Sequence, residues 1–542
     1  MAESPGTRRA AAIAAAAVLA LVVGWPIARL FGVALEDGPA MVVATLTGPL
    51  AAGAIWNSLW TGAVVALLAV CGGTGAALVT ERLAVPGRRW LRLGMLLPLL
   101  MPPFVKAFGW ARAYGPRGLL DQLVGFSLPG LYGPLGVVVV LSVAATPLAW
   151  LVVAGALASR VEPDLERAAR ASGAGPWTSL LTVTLPLLRP ALLSAAVIVF
   201  VFAVNAFGVP AVLGTPAGFA TITTRIYQDL ALSADPAAFV RATTMSATLV
   251  VLALVVVGSA DALLAHRPAT RTALPAGGGR SGQGGRAIAI VMGMAILVTT
   301  IVPFVTLVLT ALTRANGLAP VPANWTLANF GEAIDGRFVA GLAHSLFLAT
   351  AAATIVLVLA ALSAPLRGRT RVFGSAITLG FAVPGSALAI AVLLAYDGWL
   401  HNTLAIILVA YVAKFWALGH RQLAGSIDRL PPDQLRAARA SGAAALDALR
   451  SIVIPILRPS IMAGWLVVFV FALHELTMSS LLYGPGSATL AVVVLNVQQL
   501  GDPTVSAALA VLLTGLVALA AAPLAVLGVG RRVARSRWGS TP

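Results

Sequence analysis

The chain has 542 residues, of which 59% are hydrophobic and only 10% charged, with a mean hydropathy of +0.94. A soluble domain carries about 25% charged residues, so a soluble or disordered multidomain protein is excluded. The net charge of +17, from 36 basic and 19 acidic residues, would suggest nucleic acid in a soluble protein; in a membrane protein it reports which loops face the cytoplasm.

In chain order, the first apolar run covers about residues 10–33, behind Arg8 and Arg9. It is long and shows no A-x-A cleavage site, so it reads as a retained helix and not a signal peptide. Further runs lie near 58–80, 91–112, 133–158, 191–213 and 241–264. Residues 265–286, rich in Gly, Arg and Ala, read as a flexible cytoplasmic linker. Six more runs follow near 287–313, 342–365, 372–395, 402–424, 460–483 and 505–528. A hydrocarbon core about 30 Å thick needs roughly 20 apolar residues per helix. The expectation is an all-α integral membrane protein of about twelve helices, with domains at 1–264 and 287–542.

Arginine placement sets the orientation. The segments 8–9, 82–92, 160–189, 267–286, 367–371, 421–458 and 531–537 hold 27 of the 36 basic residues. These segments alternate with arginine-poor loops through all twelve runs, as the positive-inside rule requires. Both termini and the linker are therefore expected in the cytoplasm, with no nucleic-acid partner.

The strongest signal is an internal repeat. Residues 163–173 read PDLERAARASG and residues 432–442 read PDQLRAARASG. The same register carries Pro186 onto Pro455, Arg189 onto Arg458 and Pro190 onto Pro459. A looser match aligns Asn57-Ser58-Leu59 with His344-Ser345-Leu346. The chain is thus two six-helix halves that enter from the same side, which makes the repeats parallel and not inverted. Pro163 and Pro432 suit the first turn of a helix. Asp164 and Asp433 suit its positive end. Ala168, Ala169, Ala437 and Ala438 keep one surface small. Arg167 with Arg170, and Arg436 with Arg439, lie three apart on one face. Gly173 and Gly442 suit a left-handed helix end. A short helix with a small surface and a charged edge fits a groove on another protein.

This block resembles the EAA loop of binding-protein-dependent ABC importer permeases. Ala168, Ala169, Gly173, Val183, Leu185 and Pro186 fall on that pattern, as do Ala437, Ala438, Gly442, Ile452, Ile454 and Pro455. Arg167 and Arg436 replace its Glu. The segment HELTMSSLLYGPG at 474–486 and the fused layout are similar to the ferric-iron importer permeases; thiamine and aminoethylphosphonate permeases share that layout. The resemblance implies two MetI-like (type I) permease repeats, two ATPase subunits docking on the repeated loops, and a soluble binding protein on the outer face. Ferric iron is the first expected substrate, with thiamine, aminoethylphosphonate or polyamine behind it.

No energy source is legible in the chain. Its only lysines, Lys106 and Lys414, are preceded by valine and alanine, so no Gly-Lys-Ser/Thr phosphate loop exists. ATP is therefore expected to be used by partner subunits, with no cofactor on this chain. Cys71 is alone and the five histidines form no metal motif. No catalytic set is visible, and the chain is not expected to be an enzyme. An ion-coupled carrier of two six-helix repeats is the alternative, but it has no need of the repeated loop. Polar groups at membrane depth are costly. Asn205, His474, Glu475, Lys106 and Lys414 are accordingly candidates for the translocation path. Asn205 and His474 are equivalent in the repeat and are expected inside the helix that follows the docking loop.

Overall fold

The computed structural model describes residues 5–160, 163–264, 283–363, 380, 382–427, 430, 433, 440–442 and 445–538. Among them, regular structure is helical, apart from one bridge between Thr313 and Trp325.

In the first half, α1 (Ala12–Ala34) and α2 (Pro49–Glu81) are followed by a broken pair, α3 (Arg88–Leu100) and α4 (Pro103–Tyr114). Then come α5 (Pro134–Arg160), the short α6 (Pro163–Ala171), α7 (Pro176–Val204), α8 (Ile222–Ala231) and α9 (Ala238–Leu264). The second half has α10 (Gly284–Leu312), α11 (Gly336–Ser363), α12 (Gly385–Leu400) and α13 (Leu404–Ile427). It closes with α14 (Arg450–Leu473), α15 (Thr477–Leu482), α16 (Leu490–Leu500) and α17 (Pro503–Trp538). Ten helices among the described residues are long and apolar enough to cross a membrane, or eleven with the broken pair. The ninth expected run, 372–395, lies partly outside the described residues; α12 begins within its described part. Most of the expected linker also lies outside them, and helix has already resumed at Gln283.

Three expected spans differ from the apolar runs. The run at 91–112 is two helices meeting at 103°. Pro102 and Pro103 lack N–H groups, so the ladder cannot continue through them. The runs at 191–213 and 460–483 end as helices at Val204 and Leu473. Apolar sequence continues beyond both ends, but as a break followed by short helical segments, which composition alone does not register.

Each half is cored by three helices: α2, α5 and α7 in the first, α11, α13 and α14 in the second. Without a hydrophobic drive between helices in lipid, close approach depends on small residues. A Cβ added to Gly73 would stand 2.7 Å from the Ala149 Cβ, and one added to Gly62 would stand 2.9 Å from Val204. The first helices cross over. α1 packs on α11, α12 and α13 of the second half, while α10 packs on α2, α3 and α4 of the first.

Prolines shape these crossing helices and the ones after the repeated loops. One-turn π segments occupy Ala20–Gly24, Leu180–Thr184, Leu297–Ile301 and Leu449–Val453. Each ends two residues before a proline: Pro26, Pro186, Pro303 and Pro455. The missing proline N–H interrupts the ladder there, and the wider turn absorbs the defect.

Candidate functional site

Two regions carry the residues of interest: the repeated loops at the arginine-rich end, and the helix breaks within the membrane.

The first loop helix, α6, begins at Pro163 and is amphipathic and exposed. Asp164 pairs with Arg167 one turn on, and both side chains are exposed. Arg167, standing at the Glu position of the EAA pattern, is thus engaged within its own helix. Ala168 and Arg170 are exposed and Ala169 half-buried. Gly173 ends the helix at φ +88°. Ala174 N–H returns to the Ala169 carbonyl at 3.0 Å, and Ser172 N–H to that of Ala168. This is a Schellman-type end, which needs a residue free to adopt positive φ. Gly442 takes the same conformation, at φ +76°. Asp433 is helical and exposed. Arg436, Ala437, Ala438 and Arg439 lie outside the described residues.

Glu166 was not singled out by the repeat, because Leu435 stands in its place in the second copy. Its Oε1 accepts the Thr184 hydroxyl at 2.7 Å and lies 4.0 Å from Arg82. Glu166 therefore latches the loop helix to the π segment of α7, two residues before Pro186. Leu165, Trp177 and Leu181 stay exposed beside it.

The breaks are held by side chains that fill freed carbonyls. In an α-helix the Pro98 carbonyl would take its hydrogen from residue 102, which is proline. Lys106 Nζ donates to that carbonyl at 2.6 Å and is buried. In the second half, α12 starts after Pro384, and Lys414 Nζ on α13 donates to the free Val383 carbonyl at 2.5 Å. Each half therefore closes its broken third span with an ammonium–carbonyl bond, which satisfies backbone that lipid cannot.

Asn205 and His474 are not inside helices. They are the equivalent cap residues at the ends of α7 and α14. Glu475 follows, and its carboxylate accepts the N–H groups of Met478 at 2.9 Å and Ser479 at 3.1 Å. It also accepts the Ser479 hydroxyl at 3.3 Å, while Tyr411 bonds Ser479 Oγ at 2.7 Å. Lys414 is close enough to attract it electrostatically. Glu475 is thus the carboxylate that starts α15. The His474 imidazole lies near the Val470 carbonyl and within electrostatic reach of Lys106 in the other half. So His474 feels the charge of Lys106 across the two halves, whereas Glu475 feels that of Lys414 within one.

The looser sequence match also has a geometric meaning. Ser58 Oγ accepts the N–H of Ile222, the first residue of α8, at 2.8 Å, and Ser345 Oγ accepts that of Leu490, the first residue of α16, at 2.9 Å. Asn57 Nδ2 donates to the Ala220 carbonyl, and His344 Nδ1 stands 2.9 Å from the Ala488 carbonyl. Both halves seat their penultimate short helix with the same pair of contacts.

The family described as binding-protein-dependent transport system inner membrane component matches residues 69–266 and again residues 357–535. The chain belongs to this family. It carries two fused permease units, and the paired loops, breaks and seated helices fall within them. The permease is 26% identical to the probable ABC transporter permease protein y4fN of Sinorhizobium fredii, covering 89% of this chain and 88% of that protein. It is 25% identical to the putative ferric transport system permease protein FbpB 1 of Haemophilus influenzae, covering 85% and 75%. It is also 25% identical to the ferric transport system permease protein FbpB of Actinobacillus pleuropneumoniae, covering 85% and 69%. The crossing helices α1 and α10 lie outside both matched ranges. The permease is a multi-pass membrane protein of an ABC transport system.

Proposed function

We propose that this permease moves ferric iron inward, from a soluble binding protein at the arginine-poor face to the cytoplasm at the arginine-rich face of a bacterial plasma membrane. On this reading both termini are cytoplasmic, and the two units divide near residues 264 and 287. Two ATPase subunits dock on the loops near 163–175 and 432–444, hydrolyse the ATP, and rock the halves between inward- and outward-open states. The chain itself then binds no cofactor and catalyses nothing. The single observation behind this reading is the duplicated loop sequence, whose Gly173 and Gly442 both take positive φ, inside two matched permease units. The ferric substrate rests on the ferric permeases among its relatives. The path is assigned to the interface of the halves, past Asn205 and His474. Support comes from their equivalent places at helix ends and from the charge of Lys106, which reaches His474 across that interface.

The test is reconstitution in liposomes with the ATPase and binding protein encoded beside it. Radioactive ferric iron should enter only with ATP and loaded binding protein. Uptake driven by an ion gradient without the ATPase would sink the importer reading. ATP-dependent uptake of another solute in preference to iron would sink the substrate alone.

A further inference from the structure

Two carbonyls in the crossing helices have lost their backbone donors. Trp25 N–H closes the first π turn on the Ala20 carbonyl. The Leu21 carbonyl would next take its hydrogen from Trp25 or from residue 26. Trp25 is already bonded and Pro26 has no N–H. The second half repeats this: Val302 N–H closes on Leu297, Pro303 follows, and Val298 is left without a donor. A bare carbonyl is costly within a bilayer.

Each is filled by a tyrosine from the opposite half. Tyr396 Oη donates to the Leu21 carbonyl at 2.8 Å, and Tyr114 Oη donates to the Val298 carbonyl at 2.5 Å. The tyrosines are the twelfth residues of α12 and α4, the helices that follow the two breaks. Their acceptors are the second residues of the two π segments. Acceptor, donor and proline are thus duplicated together. Trp110 Nε1 additionally reaches the Thr299 carbonyl at 3.1 Å, whose α-helical donor would be Pro303. Val392 stands at the matching place in α12, so only the tyrosine bond is repeated.

We infer that Tyr114 and Tyr396 are positioning residues that pin each crossing helix to the opposite half and act as the two pivots of the rocking motion. Each hydroxyl–carbonyl bond lies within a packed helix face, α4 on α10 and α12 on α1, so the crossing helix moves with the opposite half at that point and relative motion of the halves is taken up about it. The acceptor has no other donor on its own helix, so releasing the pin strands it in any state of the cycle. Two such points, one per half, define an axis. The pivot role rests on the importer reading; the pins do not.

The complete importer in liposomes tests both. Tyr114→Phe and Tyr396→Phe should each lower maximal uptake by about three- to tenfold, the size of one lost hydrogen bond. The half-saturating concentration of loaded binding protein should not change. The double Phe variant should move less substrate per ATP hydrolysed. Unchanged substrate per ATP in the assembled double variant would overturn the pivot. Pro26→Ala supplies the missing N–H, so on that background Tyr396→Phe should have little further effect on uptake or on melting temperature. Simple addition of the two effects would overturn the pin. The melting cycle reads the pin even if the wild-type complex shows no ATP-dependent uptake, which keeps the two failures apart.

Discussion

The short helix α8 and its counterpart α16 are seated by the same serine contact, yet they are anchored by different chemistry. In α8 the eighth residue, Asp229, is buried and takes both Nε and Nη2 of Arg241, at 2.8 and 2.7 Å, with Arg225 at 3.3 Å. In α16 the eighth residue is Val497. The second half keeps a half-buried carboxylate earlier, at Glu475, where the first half has Ala206. Contacts that satisfy backbone groups, the lysine–carbonyl bonds among them, are thus common to both halves, while the carboxylates differ. Backbone valences must be met in every copy, whereas a buried ion pair is one of several ways to meet them. A permease of two identical halves has no such latitude, because any path group would be duplicated.

The largest expected effect tests that difference directly. Asp229→Ala leaves Arg241 without its buried partner and should destabilise the purified protein by about 3–5 kcal/mol. Val497→Ala should cost about 1 kcal/mol. Equal losses in thermal melting would break the comparison. Next, Gly173→Leu and Gly442→Leu together should abolish ATPase co-purification while membrane insertion persists. Open space surrounds both glycines, so the cost is backbone strain, about 1–2 kcal/mol each, and not a clash. Normal co-purification would remove the loops from the docking assignment.

Glu475→Ala should cost about 1–2 kcal/mol through loss of a helix-starting carboxylate. The reverse change, Ala206→Glu, should not be compensating, because position 210 is proline and offers no second N–H. Lys106→Met and Lys414→Met each strand one carbonyl, at about 1–2 kcal/mol. Lys414→Met should be the worse, since Glu475 loses its cation as well. The smallest effect lies in the loop before α9. The Asp235 carboxyl is held below its usual range by the Ala237 N–H and by Arg241. Its contribution is therefore complete above about pH 4, its unfolded range, and is lost as pH falls through the lowered folded value. Asp235→Asn should flatten that acid limb in a proteolysis assay of the loop and slightly lower protection at neutral pH, where the lost contribution is complete.

Much of this architecture was legible in the sequence. Apolar runs marked the spans, the duplicated PDxxRAARASG-type block marked the halves, and Gly173 and Gly442 marked where the two loops turn at positive φ. Pro102 and Pro103 announced the break near Lys106. The ends of α7 and α14 were not legible, because apolar residues continue past Val204 and Leu473. That is why Asn205 and His474 were expected within helices that they in fact terminate. Nor was the carbonyl sought by each lysine, since Pro98 and Val383 lie at different separations from Lys106 and Lys414. Glu166 was hidden because only one copy carries it. Tyr114 and Tyr396 stood at matching places in the two halves, but their acceptors are backbone atoms, which leave no side-chain signature.

The crossing of α1 and α10 also has a consequence for biosynthesis. Tyr396 is 375 residues downstream of Leu21. At a synthesis rate of about 5–20 residues per second, α1 waits on the order of 20–75 seconds before its partner emerges. During that time its unpaired carbonyl must be met by water, lipid headgroups or the insertion machinery. The first half thus cannot finish folding until the second has been made as far as α12. Joining both halves in one polypeptide guarantees that the late partner arrives beside the early one.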